Sequence, residues 1–239
     1  YHKISNNRGF NKIHLNACYD IINGIFTNCS IATSEKSHER IEFVKMLNQY
    51  PNPEKCLFIA DRGYESFNIL AHLVEKKSHF LIRARDINSN SILKGLHLQG
   101  KGDEFDLVIN KLIVKSSEAL RAMTIEPGDS VYKLYKRSID FVTEEKPFYR
   151  MKLRILRFKL DNGSYKAVIT NLTKDEASPE RIKEIYNMRW GIETAFRNLK
   201  YTIGGYTFHG KTLIAVMQEL LGKLILFNFC GFVVALTNF

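Results

Sequence analysis

The chain has 239 residues, 45% of them hydrophobic, which is enough to build one large domain, or a domain with an insertion, around a real core. Its formal charge of +10 and isoelectric point of about 9.4 favour a polyanionic partner, nucleic acid or an anionic membrane surface, the bland alternative being a generically basic protein. The four cysteines, Cys18, Cys29, Cys56 and Cys230, form no C-x-x-C pair, which argues against a zinc site or a disulfide framework and for reduced thiols in a cytoplasmic compartment.

The chain opens at Tyr1 with no charged-then-apolar leader, so no signal peptide is expected. Asn11–Tyr19 reads as a strand, with Ile13, Leu15 and Ala17 alternating against polar neighbours. Asn23-Gly24 is a two-residue hairpin signal, and Ile25–Ile31 is the return strand. Ser37–Tyr50 has helical spacing and ends at Pro51 and Pro53. Cys56–Ala60 is a short apolar run of the kind found in central strands, and Asp61-Arg62-Gly63-Tyr64 follows it. A helix over Ser66–Lys76 and a buried strand over His79–Ala84 complete a β-β-α-β-α-β order, which implies a mixed sheet with helices on its faces. From Asp86 to Leu172 apolar β-formers alternate with charges, and turn signals recur at Gly100–Asp103, Pro127-Gly128-Asp129 and Asp161-Asn162-Gly163. This stretch reads as a β-rich insertion whose last strand, Tyr165–Asn171, returns to the core. The expected organisation is residues 1–85 as the first part of a core, 86–172 as the insertion and 173–239 as its C-terminal helices. Leu220–Phe239 is nearly long enough to span a bilayer, but Lys223 and Asn228 interrupt it, so a buried helix closing the core is expected.

Chemistry concentrates in two places. Ser178-Pro179 starts a helix that should run to Gly204-Gly205. On one continuous helix, Tyr186, Arg189, Glu193 and Lys200 fall within an arc of about 60° and form a stripe roughly 21 Å long. Ile185, Met188, Ile192, Phe196 and Leu199 cluster on the neighbouring face and should turn into a core. A carboxylate among a phenol, a guanidinium and an ammonium suits metal and phosphate. The competing reading is a solvated face with weak ion pairs. Elsewhere, Asp61 ends an apolar strand, where α/β sheets carry ligands; its alternative fate is to cap a turn or the next helix. Carboxylates from such distant segments can share divalent ions, since Mg²⁺ prefers oxygen ligands and fills its shell with water and phosphate.

The pattern Y-x2-R-x3-E-x6-K, here Tyr186, Arg189, Glu193 and Lys200, with Asp61 in Ile-Ala-Asp-Arg-Gly-Tyr, resembles the DDE transposases of bacterial insertion sequences. The likeness covers essentially the whole chain. It implies a ribonuclease H-like α/β fold, a mixed sheet flanked by helices, with the β-rich insertion before the helix of the catalytic Glu. It implies cut-and-paste transposition: metal-dependent cleavage of DNA at transposon ends and joining of a 3′ hydroxyl to target DNA. Two Mg²⁺ or Mn²⁺ ions are implied, with double-stranded DNA as partner, a homodimer or higher synaptic oligomer, no membrane, and a bacterial cytoplasmic, nucleoid-associated location. By this likeness Asp61 and Glu193 are catalytic metal ligands, and Tyr186, Arg189 and Lys200 hold DNA phosphates. Trp190, about 40° beyond Tyr186 on the helix, is either a stacking face for a displaced base or a core-edge aromatic, and Arg197 is a further DNA-binding candidate. The family's first aspartate, in an Asp-Gly-Ser or Asp-Gly-Thr context, has no counterpart here. Asp20, in Cys-Tyr-Asp-Ile, matches a different position. The chain therefore reads as N-terminally truncated, lacking one metal ligand and inactive by itself. The rival functions are a ribonuclease H-like DNA-binding protein, a nuclease without strand transfer, or a basic structural or RNA-binding module.

Overall fold

A computed structural model describes residues 13–33, 38–87, 92–93, 103–134, 139–160, 162–204 and 207–237. The expected positions Asn11, Lys12, Ser37, Gly100–Gly102, Asp161, Gly205 and the last two residues lie outside these. The chain divides into two compact units, residues 1–50 with 187–239 and residues 51–186.

In the first unit, β1 (Ile13–Asp20) and β2 (Ile25–Thr33) form an antiparallel hairpin. Asp20 is its anchor. Its carboxylate accepts from the amides of Ile22 (2.9 Å) and Asn23 (3.0 Å) and from the Asn23 side chain (2.6 Å). Partial burial pushes this carboxyl up, but the hydrogen bonds from Asn23 and Ile22 outweigh it and hold Asp20 below the usual carboxylate range. Gly24, at φ +70°, closes the turn onto the Asp20 carbonyl. A bulge between Cys18 and Tyr19 shifts the register, so that Tyr19 pairs with Phe26 and Ala17 with Cys29. Phe26 and Cys29, three apart, thereby share one face, which strict alternation forbids. That face packs with Leu15, Ala17 and Tyr19 against Ala195, Leu199, Leu224 and Phe227. On α1 (Glu39–Gln49) the Met46 carbonyl accepts from Asn28, and the buried Glu42 accepts from Ser30 of β2.

The C-terminal apolar run forms α6 (Leu213–Thr237). It docks through Leu220 and Leu224, and its Asn228 amide both donates to and accepts from the Phe26 backbone at 2.8 Å. The expectation of a buried helix is corrected here: Ile225, Phe229, Phe232 and Val234 are exposed. The run is apolar on all sides, and only one stripe of it meets the hairpin. By length and composition alone, α6 would be able to cross a membrane.

The second unit is built on a six-stranded mixed sheet in the order β3-β4-β8-β7-β5-β6, from β3 (Leu57–Ala60), β4 (His79–Ala84), β5 (Phe105–Val114), β6 (Asp129–Lys133), β7 (Phe148–Lys159) and β8 (Tyr165–Thr170). β3 with β4 and β5 with β6 run parallel, and the other pairs antiparallel. The strands after residue 103 therefore join the sheet that carries β3. That strand forms its edge and is half-buried over Leu57–Ile59, not central as its composition implied. Successive side chains of β7 alternate between the two faces of the sheet. On one face, α2 (Phe67–Glu75) reaches Tyr149 through Glu75 at 2.8 Å. On the other, α4 (Pro179–Asn187) lays Ile182 and Tyr186 on Leu81, Leu156, Phe158 and Val168. The mixed α/β architecture agrees with a ribonuclease H-like class.

Lys111 of β5 is buried, with its ammonium 3.0 Å from Ser130 Oγ and 5.7 Å from the ring centres of both Phe67 and Tyr132. Burial pushes its pKa down to about 8. Between that value and the unfolded value of about 10.4 the unfolded chain binds more protons, so this residue makes stability rise with pH across the window. The free-energy gap between wild type and Lys111→Met in urea unfolding should therefore move in favour of wild type from pH 8 to pH 10, by at most about 3 kcal/mol. A gap independent of pH would mean that the ammonium is well solvated.

Candidate active-site residues

The residues singled out by the sequence fall in both units. In the second, β3 ends at Ala60 and delivers Asp61 in extended backbone (φ −82°, ψ 173°), followed by one 3-10 turn over Arg62–Tyr64. The Asp61 side chain does not cap that turn, and Ser66 holds the N-cap position of α2, so the capping alternative does not describe it. Asp61 Oδ1 instead lies 3.7 Å from the Arg83 guanidinium at the end of β4 and 3.5 Å from the Tyr186 hydroxyl. Its side chain remains 43% exposed. Arg83 sits two residues past Leu81 on the same sheet face, and Lys166 of β8 places its ammonium 5.0 Å from the Tyr186 ring centre. Sequence reasoning had not singled out Arg83 or Lys166. The only available signal was a cation ending or opening an otherwise apolar strand.

Tyr186 departs from the expected stripe. It is 2% exposed, within the core beneath α4, and only its hydroxyl reaches Asp61. The single long helix is also corrected. α4 ends at Asn187, Met188 and Arg189 form a turn, and α5 (Trp190–Tyr201) begins after it. The Gly191 and Ile192 amides donate to the carbonyls three residues back, at 2.9 and 3.2 Å, and Met188 is exposed rather than in the core.

In the first unit, α5 carries the remaining candidates. Gly191 lets its first turn lie against the hairpin: a Cβ there would stand 3.3 Å from Ile21 Cγ2 and 3.9 Å from the Tyr19 ring. Ala195 and Leu199 face the core, which leaves Glu193 and Lys200 together on another side, seven residues and about 10 Å apart. The Glu193 side chain is 42% exposed, and Lys200 and Arg197 are exposed. Arg197 bonds Thr194 at 3.3 Å. Arg189 donates to Glu193 Oε1 at 2.5 Å, with its guanidinium 5.1 Å from the Trp190 ring. The Arg189 side chain is only 11% exposed, whereas Trp190 is 58% exposed. Glu193 lies in the first turn of α5, where the helix dipole favours a negative charge.

Asp61 and Glu193 are accessible, oxygen-donating and hard, and thus of the right chemistry for Mg²⁺ or Mn²⁺. Among the described residues, no group of three or more His, Cys, Asp or Glu side chains is positioned for a metal. The residues present suit a hard divalent ion that takes much of its shell from water and phosphate.

Residues 1–229 match the Transposase DDE domain family, and the chain belongs to that family. It is 27% identical over 199 residues to the transposase for insertion sequence element IS1151 of Clostridium perfringens, covering 75% of this chain and 41% of that protein. It is 28% identical over 177 residues to the probable transposase for insertion sequence element IS5377 of Geobacillus stearothermophilus, covering 74% and 39%. The chain thus spans about two-fifths of the length of these relatives.

Proposed function

We propose that this chain is the catalytic portion of a cut-and-paste transposase that cleaves DNA at the ends of an insertion sequence and joins the freed 3′ hydroxyl to target DNA. One observation carries the reading: both candidate metal-ligand carboxylates stand exposed beside a guanidinium, Asp61 by Arg83 and Glu193 by Arg189. A carboxylate for a cation next to an arginine for a phosphate is what a metal-dependent phosphodiester site requires. In this reading Asp61 and Glu193 are ligands of two Mg²⁺ or Mn²⁺ ions. Bound there, the ions would activate the attacking oxygen and stabilise the leaving one.

The other residues bind and orient. Tyr186, being buried, contributes its hydroxyl edge at Asp61 and not a broad phosphate surface. Arg189 offers a fork for a phosphate, Lys200 and Arg197 offer charge along the backbone, and the exposed Trp190 ring offers a stacking face for a displaced base. The working form is a homodimer or higher oligomer holding two DNA ends. Two carboxylates are few for a pair of ions, so residues 1–239 alone do not cleave; nicking of end DNA by the purified chain in Mg²⁺, lost in Asp61→Ala, would overturn this last point.

The full-length protein tests the function. Incubated in Mn²⁺ with a labelled duplex carrying a pre-cut 3′ hydroxyl end, it should give joined products with target plasmid, abolished by EDTA. Nicked but never joined DNA would assign it to the hydrolytic nucleases, and binding without either product to a DNA-binding role. Lys200→Ala should weaken end binding at low salt and reduce the slope of log affinity against log salt by about 0.9, the share of one phosphate contact. An unchanged slope would take Lys200 off the DNA.

A further inference from the structure

In this structure Arg189 and Glu193 hold each other, although the proposed function needs each for a different ligand. We propose that the pair is a latch: Arg189 occupies the Glu193 carboxylate until a DNA phosphate draws the guanidinium away, so that DNA binding and divalent-metal binding promote one another. The inference rests on the reading of Glu193 as a metal ligand and of Arg189 as a phosphate contact. Its basis is geometric. Arg189 NH1 lies 2.5 Å from Glu193 Oε1, one helical turn along. An exposed pair at this spacing exchanges freely with water and is worth little. Here the guanidinium side is only 11% exposed, packed beside Trp190, and it holds Oε1, one of the two carboxylate oxygens open to a metal. The carboxylate side, at 42%, is open to an incoming ion. A metal arriving without DNA meets a carboxylate whose charge the guanidinium already offsets and one of whose oxygens it already holds. A phosphate arriving first gives Arg189 another anion, and fork-to-phosphate pairing is at least as well matched in geometry as a single contact to Glu193. Linkage then requires the effect to be reciprocal.

The test uses the 239-residue chain and a fluorescein-labelled 20-base-pair duplex at constant ionic strength. DNA affinity is read by anisotropy, and Mn²⁺ affinity by the electron paramagnetic resonance signal of free Mn²⁺. Divalent ions normally weaken protein–DNA binding by competing for phosphates. The latch reverses that sign: saturating Mn²⁺ should tighten DNA binding by wild type about fivefold or more. In Arg189→Gln and in Glu193→Gln this gain should vanish. Without DNA, Mn²⁺ should bind Arg189→Gln several-fold more tightly than wild type, whereas Arg189→Lys, which keeps a cation by Glu193, should stay close to wild type. Trp190 is the one tryptophan in the sequence, and its emission reports whether the first turn of α5 stays intact in each variant.

Mn²⁺ that weakens wild-type DNA binding, or leaves it unchanged, overturns the latch. So does weaker Mn²⁺ binding by Arg189→Gln with normal Trp190 emission, which would make Arg189 a support for Glu193. These failures are distinct from failure of the functional reading, whose sign is Mn²⁺ binding unaffected by Glu193→Gln. That outcome removes Glu193 from the metal and the latch with it.

Discussion

Glu193→Gln in the full-length protein is expected to lower the rate of DNA end cleavage by about 10³-fold or more while leaving end affinity within a fewfold of wild type. The amide keeps the shape of the side chain and removes the charge that a divalent ion needs. Metal stabilisation of charge in a phosphoryl transition state is worth several kcal/mol, and about 4 kcal/mol already corresponds to three decades in rate. The bland reading predicts something quite different. If Arg189 and Glu193 were merely a surface pair one turn apart, the substitution would change stability by about 0.3–0.5 kcal/mol and leave chemistry untouched. The two expectations differ by orders of magnitude, so a single gel of labelled end DNA over a time course separates them. Asp61→Asn should behave in the same way, since the amide oxygen can still accept from the Tyr186 hydroxyl and only the charge that a divalent ion needs is removed. Cleavage by Glu193→Gln at even a tenth of the wild-type rate would remove Glu193 from the catalytic assignment. DNA affinity measured alongside matters, because the amide also frees Arg189 for phosphate: affinity should hold or rise, not fall.

Parts of this molecule were plain in its sequence for physical reasons. The strand His79–Ala84 and the helix between Ser66 and Lys76 have the bounds that apolar pattern and turn residues implied. Ser178 caps α4 by accepting from the Arg181 amide at 3.2 Å, as the Ser-Pro start signal required. Pro127-Gly128-Asp129 does turn the chain into β6. What periodicity could not carry was anything set by distant partners. The apolar spacing runs unbroken from Ile185 to Leu199, with neither proline nor glycine at Met188 or Arg189, so nothing local announced the turn between α4 and α5. That turn separates Tyr186, in a core, from the helix that begins at Trp190. The bulge that lets Phe26 and Cys29 share a face is likewise a product of strand pairing, invisible in either strand alone. The sheet order was equally hidden, since the charged alternation of β5 and β7 says which residues face out but not which strand lies next to β4. At the candidate site, Tyr186, Arg189, Glu193 and Lys200 stood out by their spacing, and Asp61 by its place at the end of an apolar strand. Arg83 and Lys166 did not, because a cation near the end of a strand is common.

Arg154→Ala is expected to destabilise the chain by about 3–5 kcal/mol, the usual consequence of removing one partner from a buried ion pair. Arg154 is 2% exposed in the middle of β7. Its Nε and NH2 donate to the two oxygens of Asp106 at 2.8 Å each, and NH1 donates to the carbonyls of Thr173 and Ala177 at 2.7 Å, with that of Leu172 at 3.4 Å. One guanidinium thus ties β5 to the segment between β8 and α4. Its loss strands a largely buried carboxylate and three carbonyls, each of which pays its desolvation without return. Lys174, whose ammonium lies 3.9 Å from Asp106, can recover only part of the carboxylate's share. Asp106→Asn should cost less, because the carbonyl contacts of Arg154 persist. The double variant Arg154→Met with Asp106→Leu should recover much of the loss, since apolar replacement of a whole buried pair is often neutral. Urea unfolding at constant slope measures all three. A cost below about 1 kcal/mol for Arg154→Ala would show that the segment holds its shape by packing alone. The consequence reaches the site, because that segment leads into the Ser178 cap and α4, and α4 carries the Tyr186 hydroxyl to Asp61. Under conditions where the variant is still folded, the distance between that hydroxyl and the carboxylate should therefore be less well defined, and in the full-length protein the cleavage rate should fall further than the folded fraction does.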